Sequence, residues 1–136
     1  MKKIGEFWLA YAGDALTASI SLHDYDEGTM IKITVSGIMD TVSSFIAGVA
    51  IAIMDNNTYS FAMVDVRSMS FVDGIAINEA AIGCLIKIVS FIMSKNIRSV
   101  LVIDNDYVRE VLSDILKKQR GFSGILFMSG KDMQDD

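Results

Sequence analysis

The chain has 136 residues, 51 % of them hydrophobic and 21 % charged, and carries a net charge of −5. That length supports one closed core in a single domain, and the composition is too apolar for a disordered chain. No basic run exceeds Lys117 and Lys118, close to Arg120, so the clustered lysine and arginine of a nucleic-acid footprint are missing.

In chain order, residues 4–18 are apolar and fit either a first strand or a lid. Residues 17–23 alternate, with Ala18, Ile20 and Leu22 on one side, which predicts a strand. The turn "DYDEG" at 24–28 follows, with Gly28 free to take positive φ. In "MIKITVSG" (30–37), Ile31, Ile33 and Val35 alternate with Lys32, Thr34 and Ser36, a strand with one wet face that pairs with the preceding one as a hairpin. Asp40 or Thr41 can cap a helix in which Val42, Phe45, Ile46, Val49 and Ile53 share a face, and "DNN" (55–57) stops it.

The nearly continuous apolar run "FAMVDV" (61–66) reads as a central strand covered on both faces. A long second helix is expected over 73–95, a buried strand at 99–103, and a third helix carrying Val108, Val111, Leu112 and Ile115. The last strand is "GILFM" (124–128). The order β β α β α β α β, with right-handed crossovers, predicts an α/β fold: a mixed sheet of four to five strands with helices mainly on one face.

Little in this pattern carries catalysis. The single cysteine, Cys84, lies in an apolar run, and the single histidine, His23, is far from it in sequence. That excludes an internal disulfide and the usual zinc sets; a nucleophilic role would need a base, and Cys84 reads more simply as a small packing residue. His23 reads as a solvent-facing side chain near a strand end. Gly74 stands alone at its turn, so no phosphate-cradling loop is present, and there is no Gly-x-Ser-x-Gly elbow. Three acids, Asp65, Asp73 and Asp104, fall near the carboxyl ends of strands. With Lys131 beyond the last strand they offer a receiver-like phosphoacceptor as an alternative, although the adjacent acidic pair of such proteins is missing before Gly37. The start "MKKIGE" is not a signal peptide, and the longest apolar segments, 42–54 and 75–93, are too short or too polar to span a bilayer. A cytoplasmic protein without a cofactor or metal is expected.

The stretch "SFVDGIAINE" (70–79) is the informative junction. Asp73 is suited to cap the helix after it, which contributes about 1 kcal/mol, and Gly74 permits a tight turn. On that helix Glu79, Gly83, Lys87, Ser90 and Ser94 make one narrow polar stripe. Ile77, Ala81, Cys84, Leu85, Ile88 and Ile92 fill a broad apolar sector, and Ile75, Ile82, Ile86 and Met93 the opposite flank. The apolar arc is roughly twice the ~100° a surface helix needs. Either the domain engulfs the helix, with residues 7–11 folded over it, or the outer flank meets a second protein. A partner or homodimer surface is the expectation.

Three stretches, "ITVSGIMD" (33–40), "AMVDVRSMSFVDG" (62–74) and "SVLVIDNDYVREVL" (99–112), give residues 30–129 a resemblance to the STAS domain of bacterial anti-sigma-factor antagonists. They are similar to that family's glycine-plus-acid turn, its strand-to-helix junction ending in Phe-x-Asp, and its late strand before a valine-arginine-x-x-leucine run. Residues 1–18 would then be an extension or extra strand, and 130–136 a flexible tail.

The resemblance implies a small binding protein of bacterial regulation, not an enzyme. It would dock a kinase-like anti-sigma factor or another STAS protein through the start of the helix after the junction. In the family the acid precedes two hydroxyl residues and a glycine, and the partner kinase phosphorylates the second hydroxyl. Here Asp73 keeps the acid, but Gly74 and Ile75 replace the hydroxyls and Ala76 the glycine. The expected partner-binding residues are Met39, Asp40, Ser68, Asp73, Gly74, Ile75, Asn78 and Ile82, without the usual serine switch. Ser68, Ser43 and Ser44 are the hydroxyls that can substitute, though each reads more simply as solvated or capping. A small-ligand-binding variant of the fold is a further alternative.

Overall fold

The protein is described from a computed structural model that defines residues 2–11, 16–40, 45–73, 76–118 and 125–129. Nine strands and three helices follow in the order β1 (Lys2–Tyr11), β2 (Leu16–Tyr25), β3 (Gly28–Ile38), α1 (Phe45–Asp55), β4 (Phe61–Asp65), β5 (Met69–Ser70), β6 (Val72–Asp73), β7 (Ala76–Ile77), α2 (Glu79–Ser94), β8 (Arg98–Val102), α3 (Asp106–Lys117) and β9 (Ile125–Met128). The main sheet runs β1-β2-β3-β4-β8-β9, with β5 attached to the end of β3. β1, β2 and β3 are antiparallel neighbours, and β3, β4, β8 and β9 run parallel. The sheet is thus wider than the four to five strands expected, because residues 2–11 join it as an edge strand and do not form a lid.

Register explains how the core is assembled. Because side chains alternate between faces, the rows Leu22–Ile31–Ala62–Ser99 and Ile20–Ile33–Val64–Leu101, with the pair Ala18–Val35, all point the same way. All of these residues but Ser99 join one hydrophobic cluster with residues from all three helices, including Ile46, Ala50, Leu85, Ile88 and Leu112. The wet alternation of Lys32, Thr34 and Ser36 falls on the opposite face, where these residues are half-buried. Met30, Val100 and Val102 of that opposite face are buried yet lie outside the main cluster.

The helix ends have side-chain causes. The Nδ2 groups of Asn56 and Asn57 donate to the carbonyls of Ala52 and Ile53 at 2.8 and 2.7 Å, satisfying the last turn of α1. The Asn105 Oδ1 accepts from the Val108 N–H at 3.0 Å and starts α3. Asn96 at φ 60° ends α2 in the left-handed region, where asparagine is tolerated.

Two expectations about the long helix are corrected. α2 begins at Glu79, not at position 73, and its cap is Asn78, not Asp73. The residues between form a small hairpin in which Val72 pairs with Ile77 and Asp73 with Ala76. β-Branched and apolar residues on either side of the junction favour extended pairing over helix propagation here. The broad apolar arc of α2 also has an internal explanation, since the helix packs between α1 and α3. Ile82 is 8 % exposed and belongs to the core, and Ile86 and Met93 are half-buried against it. The covering elements are therefore helices of the same chain and not residues 7–11, which pair with β2.

Candidate functional site

The carboxyl ends of β3, β4 and β8 and the starts of α1, α2 and α3 lie at one end of the sheet, the usual place for function in an α/β fold. The chain is laced together there by backbone bonds. The Gly37 N–H donates to the Ser68 carbonyl at 2.9 Å, Met69 N–H to Val66 O at 3.1 Å, and Val66 N–H to Val102 O at 3.0 Å. Gly37 does so at φ 103°, a conformation open to glycine. β5 then pairs in parallel with Gly37 and Ile38.

Asn78 is the hub of this end. Its backbone N–H donates to Phe71 O at 2.8 Å, its Oδ1 accepts from Ala81 N–H at 3.2 Å, and its Nδ2 donates to Met39 O at 2.8 Å. One half-buried side chain thus caps α2 and fastens the loop after β3 to it. Met39 is 2 % exposed and anchors that loop from beneath, while Asp40 and Ser68 are exposed. Asp73 lies in β6, five residues before the cap. Gly74 and Ile75 lie outside the described residues, as do Ser43, Ser44, Lys131 and the tail 130–136. Of the eight expected partner-binding residues, Met39, Asp40, Ser68, Asp73 and Asn78 converge on this end; Ile82 is core.

The acid at the end of β4 is occupied. The Arg67 Nε and Nη2 donate to Asp65 Oδ1 and Oδ2 at 3.0 and 2.7 Å, and the Arg67 N–H adds a third bond at 3.1 Å. Burial pushes this carboxyl up, but the side-chain and backbone bonds from Arg67 outweigh it, and Asp65 sits below the ordinary carboxylate range. Among the described residues no three His, Cys, Asp or Glu side chains gather into a metal-binding group. Arg109, from the valine-arginine-x-x-leucine run, donates to Ile103 O at 2.9 Å and ties α3 to the end of β8.

Cys84 is 2 % exposed, and burial raises its thiol to about 11. His23 is half-buried, with Nε2 2.8 Å from Ser21 Oγ. Desolvation, then Lys32 and Lys3, lower its pKa.

Sequence reasoning missed three exposed apolar side chains at the same end. Ile38 closes β3 and is 66 % exposed, Phe45 opens α1 at 54 %, and Tyr107 lies in the first turn of α3 at 61 %. Phe45 was expected on an apolar face with Val42, Ile46, Val49 and Ile53, but α1 buries Ile46, Ala47, Ala50 and Met54 instead, which turns Phe45 outward. Among the described residues no helix is long and apolar enough to cross a membrane.

The fold is that of the anti-sigma-factor antagonists, the STAS fold of a mixed sheet with three helices. It matches an RsbS variant from Moorella thermoacetica with a TM-score of 0.57 and 13 % identity, over 82 % of this chain and 86 % of that one. It also matches an anti-sigma factor antagonist from Mycobacterium paratuberculosis with a TM-score of 0.51 and 16 % identity, over 87 % and 90 %. No family model matches the sequence, and no curated protein matches it significantly.

Proposed function

We propose that the chain is a non-catalytic docking module of bacterial regulation that receives a protein partner, a kinase-like anti-sigma factor or another STAS protein, on the carboxyl end of its sheet. The observation that carries this reading is the placement of Ile38, Phe45 and Tyr107, three of the four large hydrophobics exposed among the described residues, around one end. Exposed apolar residues gathered in one place, beside polar ones, are the mark of an interaction surface. Asp40, Ser68 and Asn78 supply that polar neighbourhood, with Asp73, Gly74 and Ile75 between Ser68 and Asn78 in sequence and Met39 supporting the loop from below.

Positions 74 and 75 hold a glycine and an isoleucine. A phosphate there would add nearly two negative charges beside Asp73 and repel an acidic contact; neither residue can carry one, so docking is not released by the family's serine switch. The test is affinity for a purified partner. Ile38→Asp and Phe45→Asp should each weaken it at least about tenfold with the thermal midpoint unchanged, and kinase treatment of the wild type should place no phosphate at 73–76. Binding indifferent to both substitutions refutes the surface. Stoichiometric phosphate on Ser68 refutes the absence of a switch.

A further inference from the structure

The face of the sheet turned away from the helices carries a second, separate feature. One row across it reads Lys3–His23–Met30–Phe61–Arg98. At the amino ends of the parallel strands this row borders a groove of about 320 Å³ lined by Tyr25, Glu27, Met30, Phe61, Met63 and Arg98. Its floor is apolar: Met30 is buried, and Tyr25, Phe61 and Met63 are half-buried. The two charges stand on opposite sides. Glu27 is in the β2–β3 turn, Arg98 opens β8, and β3 and β4 lie between. Both are exposed, and neither joins an ion pair among the described residues.

We propose that this face is the interface of a two-fold homodimer, with a second copy of the chain as its occupant. An isologous contact must be complementary to itself. An acid and a base flanking an apolar centre satisfy that condition: a two-fold axis lying in the interface and along the strands sets Glu27 against the partner's Arg98 and Arg98 against the partner's Glu27. The apolar floors then meet at the axis. Methionines suit such a contact because their unbranched side chains adapt to a surface that must fit itself. The dimensions are adequate. With β1, β2 and β3 about 33 Å long, β4, β8 and β9 about half that, and strands about 4.8 Å apart, the face offers roughly 700 Å², near the ~800 Å² per partner of a standard interface. Lys32, Thr34 and Ser36 lie beyond the groove on its polar part.

This inference does not rest on the docking end, and the experiment separates the two. Sedimentation of the full chain across a concentration series should show a monomer–dimer equilibrium that weakens with added salt. Glu27→Arg and Arg98→Glu should each raise the dimer dissociation constant at least about tenfold, and the double variant Glu27→Arg with Arg98→Glu should bring it back to within about threefold of wild type. Ile38→Asp should leave it unchanged. The inference is overturned by a monomer at every concentration, by a dimer indifferent to both reversals, by a double variant that is not rescued, or by a monomer that retains a small molecule in native mass spectrometry.

Discussion

Asn78 is the residue on which the docking end depends, and its two side-chain bonds can be separated by substitution. Asn78→Ala removes both the Oδ1 acceptor that caps α2 and the Nδ2 donor that holds Met39 O. Loss of an N-cap costs about 1 kcal/mol, and loss of a half-buried bond to a carbonyl costs about the same, so the variant should lose about 2 kcal/mol. At roughly 3–5 °C per kcal/mol for a domain of this size, the midpoint should fall by about 6–10 °C. Asn78→Ser keeps a capping oxygen but is too short to reach Met39 O, and should lose about half as much. Asn78→Asp keeps the cap and adds a favourable charge at the helix start, but sets a carboxylate oxygen against the Met39 carbonyl. Urea denaturation measures the stabilities, and amide exchange at Met39 and Asp40 reports the tether directly. Both amides should exchange faster in Asn78→Ser and Asn78→Asp than in wild type. If Asn78→Ser matches wild type in both measurements, the side chain is only a cap and the tether argument fails.

Two further outcomes follow from the buried titratable groups. Asp65 is held below its ordinary value of 3.8 by Arg67, so the native state binds this proton less readily than the unfolded chain. Its contribution is therefore complete above about pH 4 and lost as pH falls through the native value. Asp65→Asn should cost about 1–3 kcal/mol at pH 7, with a gap to wild type that narrows below pH 4; a constant gap from pH 7 to pH 3 refutes the assignment. Cys84, with its thiol near 11, should resist a disulfide reagent at pH 8 in the native state and react fully in denaturant; rapid native labelling would show that α2 opens far more readily than its packing implies.

Much of this fold was legible because its strands obey simple periods. The alternation of Ile31, Ile33 and Val35 fixed the inner face of β3, and the run at 61–66 marked a central strand that the parallel pairing with β3 and β8 accounts for. The start of α2 was not legible, because an acid before a glycine reads as a helix cap. Here Asp73 instead pairs with Ala76 in a strand, and the cap falls to Asn78, which is also bonded to Met39 O. That bond joins residues 39 apart in sequence, so no local reading contains it. The wide apolar arc of α2 failed as a docking signal for a related reason: a helix between two others is apolar on both flanks, and a single sequence does not separate a neighbouring helix from a neighbouring protein. The exposed trio of Ile38, Phe45 and Tyr107 carries the interface information instead, because those residues sit where an element begins or ends and its own core no longer covers it.

The two proposed surfaces also constrain each other geometrically. A two-fold axis running along the strands leaves strand direction unchanged, so both carboxyl ends of the dimer point the same way. Each protomer then presents its docking end beside that of its neighbour, and a partner with two matching sites would bind the pair far more tightly than one copy through effective concentration alone. Any axis perpendicular to the strands would point the two ends apart and forbid that gain. Regulation would then not need a hydroxyl at position 75. Shifting the monomer–dimer balance through Glu27 and Arg98, residues remote in sequence from the junction, would change the avidity of the docking end while leaving its own contacts untouched.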